Sequence, residues 1–241
     1  MNAAGAEESR TAAIADAKRL LRLSRTAALA TLGVDGSPLT TWVGCASDFD
    51  GAPLFLLSTL AQHTKDLAGD ARGSLLLTSP PDRGDPLNHP RLTVGGPIAS
   101  HPDAYARKRY LQRNPKAKLY ASFTDFAIYR MRVEAVHFNG GFGRADKLAP
   151  ANILTPSANA AALIDAEDVL LGEINAVEGL AAQLAGRREA GRRVWRAIGL
   201  DAEGVDLSAG GAAARVDYPA PAFEPQAWRA RLAAAVVASP A

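Results

Sequence analysis

Two short Asp-Gly turns, Val34-Asp35-Gly36-Ser37 and Asp48-Phe49-Asp50-Gly51, each fall between runs of strand-forming residues. Glycine accepts the positive φ that a tight reversal demands, so the runs on either side fold back on each other as hairpins. Thr26 to Leu32, Leu39 to Ser47 and Pro53 to Thr59 are therefore read as successive antiparallel strands, with further strands at Ser74 to Ser79 and Arg91 to Ala99. Five strands with little helix between them point to an antiparallel barrel or sandwich, because a parallel sheet needs a long crossover after every strand.

Helices flank this strand-rich stretch. Ser9 is a plausible N-cap, and Ile14, Ala17, Leu20 and Leu21 recur at three- and four-residue steps, the stripe of an amphipathic opening helix. A short helix is expected from His63 to Ala68. Another runs from Pro102 to Arg113 and stops at Asn114-Pro115, since proline cannot continue the ladder and disfavours helix in the residue before it. From Phe126 to Phe138 one long strand is expected, with Tyr129, Met131, Val133, Ala135 and His137 on one face and Arg130, Arg132 and Glu134 on the other. The turn Gly140-Gly141-Phe142-Gly143-Arg144 closes this part. Pro150, Pro156 and Ser157 to Ala162 read as a linker, which divides the chain into domains at 1–150 and 160–241. The second reads as a helix pair within Ala161 to Leu184, a strand near Arg193 to Ile198, a hairpin through Asp206 to Asp217 and a closing helix from Pro225 to Val237. The whole is an α+β chain.

Composition narrows the function classes. The 241 residues carry a formal net charge of +2, too small to imply a nucleic-acid or membrane-surface role. Two local basic runs, Arg107 to Lys118 and Arg187 to Arg196, read as solvated helix faces or contact surface. The single cysteine, Cys45, forbids an intramolecular disulfide and a thiolate zinc site, and reads as a small buried hydrophobe. Trp42, Trp195 and Trp228 read as packing residues. The first ten residues carry Glu7 and Glu8 where a secretory signal places positive charge, and the apolar runs are too short to span a bilayer. The expectation is a cytoplasmic protein that binds neither membrane nor nucleic acid.

No hydrolase elbow, P-loop, HExxH or dinucleotide fingerprint occurs. The most informative segment is Ser58-Thr59-Leu60-Ala61-Gln62-His63-Thr64-Lys65-Asp66-Leu67, where a strand delivers hydroxyls, an imidazole and an ammonium to the start of a helix. Helix N-termini present unpaired N–H groups and partial positive charge, so these residue types in this order suit an anion such as phosphate. The alternative is that the hydroxyls merely cap the helix.

This segment, as Ser58-x-Leu60-Ala61-x-His63-Thr64-x-x-Leu67, resembles the flavin phosphate motif of HugZ-type haem-utilisation proteins, relatives of pyridoxamine 5'-phosphate oxidase. Asp85-Pro86-Leu87 with Arg91-Leu92-Thr93-Val94-x-Gly96, Arg109-Tyr110-Leu111-x-x-x-Pro115, Tyr120, Phe123-x-Asp125-Phe126 and Gly140-Gly141-Phe142-Gly143-Arg144-Ala145 follow in the same order. The tail, with Arg196-Ala197-Ile198-Gly199 before Asp201-x-x-Gly204-x-Asp206-Leu207, is similar to the DUF2470 domain that accompanies these barrels. The resemblance implies a split β-barrel homodimer that binds FMN in clefts between subunits, with Ser58, His63, Thr64 and Lys65 on the flavin phosphate and Thr41 at the place where the oxidases carry an arginine. It also implies an oxidoreductase role in haem utilisation or degradation, with the flavin doing the redox work, no catalytic side chain assigned and no resident metal. The usual asparagine of the motif is Asp66 here, and a carboxylate beside a phosphate repels it. The C-terminal Arg-Leu-His signature of true oxidases is missing.

For haem, the resemblance puts Arg144 on a propionate. The chain holds only His63, His89, His101 and His137 as histidines, and His137 adjoins the glycine loop; it is either a haem ligand or a hydrogen-bonded core residue. The same two-domain arrangement also resembles chloroplast proteins that bind glutamyl-tRNA reductase, so the alternative function is a non-catalytic haem- or protein-binding regulator of tetrapyrrole metabolism.

Overall fold

The computed structural model describes residues 3–78, 84–141, 145–186 and 194–239. It divides into two compact units, Met1–Leu154 and Thr155–Ala241.

The first unit opens with α1 (Ala3–Leu23). Ser9 is not its cap but lies inside it; the alanine-rich segment before Ser9 has enough helix propensity to extend the helix upstream. Ala13, Ala17, Leu20 and Leu21 are buried as one stripe. Then come β1 (Thr26–Leu32), β2 (Pro38–Gly44), β3 (Ala46–Ser47), β4 (Pro53–Ser58), α2 (Gln62–Gly69), β5 (Arg72–Thr78), β6 (Arg91–Ser100), α3 (Ala104–Arg113), β7 (Phe126–Met131), β8 (Ala135–Asn139), β9 (Ala145–Leu148) and α4 (Pro150–Ile153). Both Asp-Gly turns form, with Gly36 and Gly51 at positive φ. β1 and β2 pair from Thr26↔Gly44 to Leu32↔Pro38, and β3 and β4 from Ala46↔Leu54 to Ser47↔Pro53. The strand expected over Leu39 to Ser47 breaks at Cys45, whose N–H and thiol are held by the carbonyls of Arg25 and Ser24. α3 is capped by Asp103, whose side chain accepts from the Ala106 N–H.

Among the described residues the strands form one antiparallel sheet in the order β2-β1-β5-β6-β7-β4-β3, with β8 joined to β6 and β9. β6 is the hinge of this split barrel: Arg91 to Gly95 pair with β8, and Ile98 to Ser100 pair with β7. The core holds Leu29, Phe55, Leu75, Leu92, Val94, Met131 and Phe138, with the α1 stripe packed against it. A second cluster, centred on Tyr110, Leu54, Leu56 and Ile128, seats α3 on the β4–β7 side.

The long strand expected over Phe126 to Phe138 is in fact two. Ile98 pairs with Met131 but Gly95 with Ala135, so Arg132, Val133 and Glu134 stand opposite Gly96 and Pro97, three residues against two. This is a β-bulge, and one extra residue turns every later side chain to the other face. Val136 and Phe138 are therefore buried and His137 is exposed, which overturns the expected shared face of Met131 and His137. Trp42 is also corrected: it is 69% exposed on edge strand β2, and Trp228 alone of the three tryptophans is fully buried.

The second unit has α5 (Ala161–Ala176), α6 (Leu180–Leu184), β10 (Arg196–Asp201), β11 (Gly204–Ala209), β12 (Ala212–Asp217) and α7 (Pro225–Ala238). Its strands form a meander in the order β10-β11-β12, the expected strand and the expected hairpin joined in one sheet. Arg215 is buried with its guanidinium 2.8 Å from Asp201, 3.0 Å from Asp206 and 2.6 Å from Asp217. Trp228 donates its indole N–H to the Asp201 carbonyl at 3.0 Å and meets Tyr218 edge-on.

Candidate functional site

β4 ends at Ser58, the chain turns through Thr59, Leu60 and Ala61, and α2 begins at Gln62. No side chain caps α2. Its first-turn N–H groups are thus not absorbed by a cap, although the Thr64 and Lys65 N–H groups both reach the Ala61 carbonyl. His63 stands in this first turn, half-buried, with Nδ1 3.2 Å from the Thr41 Oγ1 of β2. Burial holds the His63 imidazole below its ordinary pKa, and the Asp66 carboxylate works against that shift. Thr64 is buried, and its hydroxyl has no hydrogen-bond partner among the described residues. Lys65 is exposed.

Four of the five residues expected at a phosphate site, Thr41, His63, Thr64 and Lys65, are thus gathered at or beside the first turn of α2. The fifth, Ser58, is engaged otherwise: its hydroxyl donates to Asp125 Oδ2 at 2.6 Å and accepts the Leu60 N–H at 3.1 Å. Asp125 also accepts the Thr59 N–H through its carbonyl, so it fastens the turn to the start of β7. Sequence reasoning named the Phe123-x-Asp125-Phe126 motif without giving its carboxylate this role. Beside the same turn lie exposed Leu60, Tyr120 and Phe123, with the Tyr120 and Phe123 rings 4.9 Å and 6.5 Å from Phe126.

Asp66 points inward, to a partner that the sequence did not disclose. Its Oδ2 accepts from Thr31 Oγ1 on β1 at 2.9 Å and its Oδ1 from Gln62 Nε2 at 2.8 Å. The carboxylate expected to confront a phosphate is instead the tie that seats α2 on β1. Asp66→Ala leaves the buried Thr31 hydroxyl unpaired and is expected to cost about 1–3 kcal/mol in a urea melt. Asp66→Asn keeps one carbonyl acceptor and should lose less; an alanine variant as stable as the parent would show that the tie contributes nothing.

His137 does not join this group. Thr41 pairs with Leu29 on the core-facing side of the sheet, whereas His137, paired with Thr93 and Lys147, projects from the outer face. Arg144 lies outside the described residues. Burial pushes the Cys45 thiol up to about 12, which keeps it protonated and unreactive. Among the described residues no group of three or more His, Cys, Asp or Glu could hold a metal ion, and no helix is long and apolar enough to cross a membrane.

Known proteins share this fold. The profile of the family described as CREG, beta-barrel matches residues 8–154, which takes in most of α1 and every strand of the split barrel. The chain belongs to the CREG β-barrel family. A curated relative of this CREG-type chain is the chloroplastic non-canonical haem oxygenase HOZ of Arabidopsis thaliana, 33% identical over 114 residues. That stretch is 46% of this chain and 34% of the oxygenase, so the chain spans about a third of that relative's length. Among solved structures, Atu2129 of Agrobacterium tumefaciens, of unknown function, is 36% identical with a TM-score of 0.81, over 92% of this chain and 94% of its own. A haem-binding protein from Mycobacterium smegmatis is 25% identical with a TM-score of 0.56, over 94% of this chain and 96% of its own. The two structural matches run beyond the CREG barrel into the C-terminal unit.

Proposed function

We propose that this CREG-type barrel is an FMN-binding, homodimeric flavoprotein of the HugZ kind, with its C-terminal unit of the DUF2470 kind, acting as an oxidoreductase in haem utilisation or degradation. The observation that carries the reading is the gathering of Thr41, His63, Thr64 and Lys65 at the uncapped start of α2. The buried Thr64 hydroxyl is a polar atom without a protein partner among the described residues, as a phosphate ligand requires. The residues present therefore fit a flavin phosphate: Lys65 supplies charge, Thr64 and Thr41 supply hydroxyls, and the first-turn amides supply N–H donors. FMN, when bound, supplies one- and two-electron redox chemistry; the protein's part is to hold and orient it.

The haem side of the reading is supported by HOZ, described as a haem oxygenase, and by the haem-binding protein of M. smegmatis. His137, exposed on the outer face, offers an accessible imidazole to iron, and Arg144 is the residue proposed for a propionate. The same outer face favours a homodimer. Trp42, Ala28 and Leu76 stand there side by side in one cross-strand row with Trp42 and Leu76 exposed, an apolar patch of the kind that pairs with another copy, and Thr93 separates it from His137.

The test is an absorbance spectrum of the purified protein before and after addition of FMN and then haem, with light scattering on the same sample. A retained flavin band, a Soret band on haem addition and a dimer mass are expected. A spectrum that FMN never changes would end the flavoprotein reading. The second reading, a non-catalytic haem- or protein-binding regulator, is favoured by one observation: Asp125 occupies the Ser58 hydroxyl and places a carboxylate beside the turn. A Soret band with no flavin and no haem consumption under a reductant would select it.

A further inference from the structure

We propose that His63 is the conditional cation of the α2 site: it selects a phosphomonoester dianion and takes up a proton when that dianion docks. This rests on the phosphate reading of the site given above. Where that reading expects a fixed guanidinium, β2 presents Thr41, and the Thr41 hydroxyl meets the imidazole at 3.2 Å. A hydroxyl can donate to a bare Nδ1 or accept from a protonated one, so it tolerates both charge states of the ring. An arginine in its place would repel the imidazolium. Thr41 thus places no permanent positive charge beside the ring, which leaves the imidazole free to supply one.

The surroundings leave that switch little to compete with. β1, which packs against α2, β2, which carries Thr41, and β4, which leads into α2, have no charged residue, and Arg72 at the start of β5 is paired with Asp70 at the far end of α2. Asp35, on the turn between β1 and β2, is bonded to Ser37. Asp125 is held by Ser58, and Asp66, on α2 itself, is held by Thr31 and Gln62. Lys65, the adjacent cation, is exposed to solvent. Burial lowers the pKa of the half-buried ring, which favours its neutral form in the unliganded protein. A dianion brought to the start of α2 adds two negative charges within reach of the ring and favours its charged form. A phosphomonoester carries that second charge above pH of about 6, whereas a phosphodiester never does.

The experiment is calorimetric titration of the dialysed protein with FMN, and with riboflavin as the phosphate-free probe, from pH 7 to 9 in buffers of different ionisation heat. In this window the FMN phosphate is already a dianion and lysine has not begun to titrate, so a pH slope reports His63. Uptake of up to about one proton per FMN is expected, with the dissociation constant rising by up to about tenfold per pH unit. Riboflavin should take up none, and His63→Gln should abolish the uptake and flatten the profile. FMN binding with one affinity across the window and no proton uptake would overturn the proposal and leave the FMN reading standing. Absence of FMN binding at every pH would overturn that reading and this inference with it.

Discussion

Arg215→Met is expected to destabilise the C-terminal unit by roughly 3–5 kcal/mol, the size typical of removing one partner from a buried ion pair. Arg215 is buried together with Asp201 and Asp206, while Asp217 is partly exposed. Loss of the guanidinium therefore strands two buried carboxylates, and neither can be rehydrated without opening the β10–β12 meander. The cost comes from those orphaned charges and not from any large net worth of the intact cluster, because desolvation of both signs offsets most of the attraction. Arg215→Met combined with Asp201→Asn and Asp206→Asn should consequently be more stable than Arg215→Met alone. Trp228, bonded to the Asp201 carbonyl, makes its fluorescence the natural probe of a urea melt. A single variant that melts within about 0.5 kcal/mol of the parent would mean that the charges reach water in the folded chain.

Much of the barrel was legible because its signals are local. The run Thr26 to Leu32 is closed by the first Asp-Gly turn, and the strand occupies those same residues. The Asp-Gly turns and Asn114-Pro115 likewise act through their own backbone preferences. What escaped the reading depends on partners distant in sequence. Between β7 and β8 the alternation of Arg132, Val133 and Glu134 runs on without interruption, so nothing in that segment announces the bulge. The available signal was Gly96 on the facing strand, since an isolated glycine in a strand marks a bulge or a close backbone approach. Trp42 misled for a related reason: large aromatic residues are usually buried, and only the sheet order shows that β2 lies at an edge.

The site divides in the same way. The segment from Ser58 to Leu67 declared its residue types and their place at a strand-to-helix junction. The contacts that decide what each side chain can do are long-range: Thr41 to His63 spans 22 residues, Thr31 to Asp66 spans 35 and Ser58 to Asp125 spans 67. Asp66 illustrates the consequence. By sequence it stands next to Lys65 and reads as a charge facing the ligand, yet the helix turns it toward β1, where Thr31 holds it together with Gln62 of α2. The sequence lists groups that suit an anion, and the fold decides which of them remain available to a ligand.

Gly96→Ala is expected to cost the barrel about 3 kcal/mol or more, close to the largest loss from one methyl group in this unit. A Cβ on Gly96 would lie 1.9 Å from the Arg132 carbonyl oxygen and 3.2 Å from the Glu134 nitrogen, both main-chain atoms that no rotamer change can move. Relief requires the bulge to open, and the bulge is held by the Arg132 N–H on the Pro97 carbonyl at 2.9 Å and the Glu134 N–H on the Gly95 carbonyl at 2.8 Å. Breaking both forfeits about 1 kcal/mol each before any packing is lost. Restoring a regular ladder by slipping β8 one residue is worse, since it would expose Val136 and Phe138 and bury His137. Gly95→Ala is the internal control: its Cβ would sit 3.6 Å from the Gly73 carbonyl and 3.9 Å from the Ala135 Cβ, ordinary contact distances. For a unit of this size a loss of 3 kcal/mol lowers Tm by roughly 6–12 °C. A melt in which the two alanine variants fall together would show that the bulge is not what sets the register of β8, and the outward placement of His137 would then need another cause.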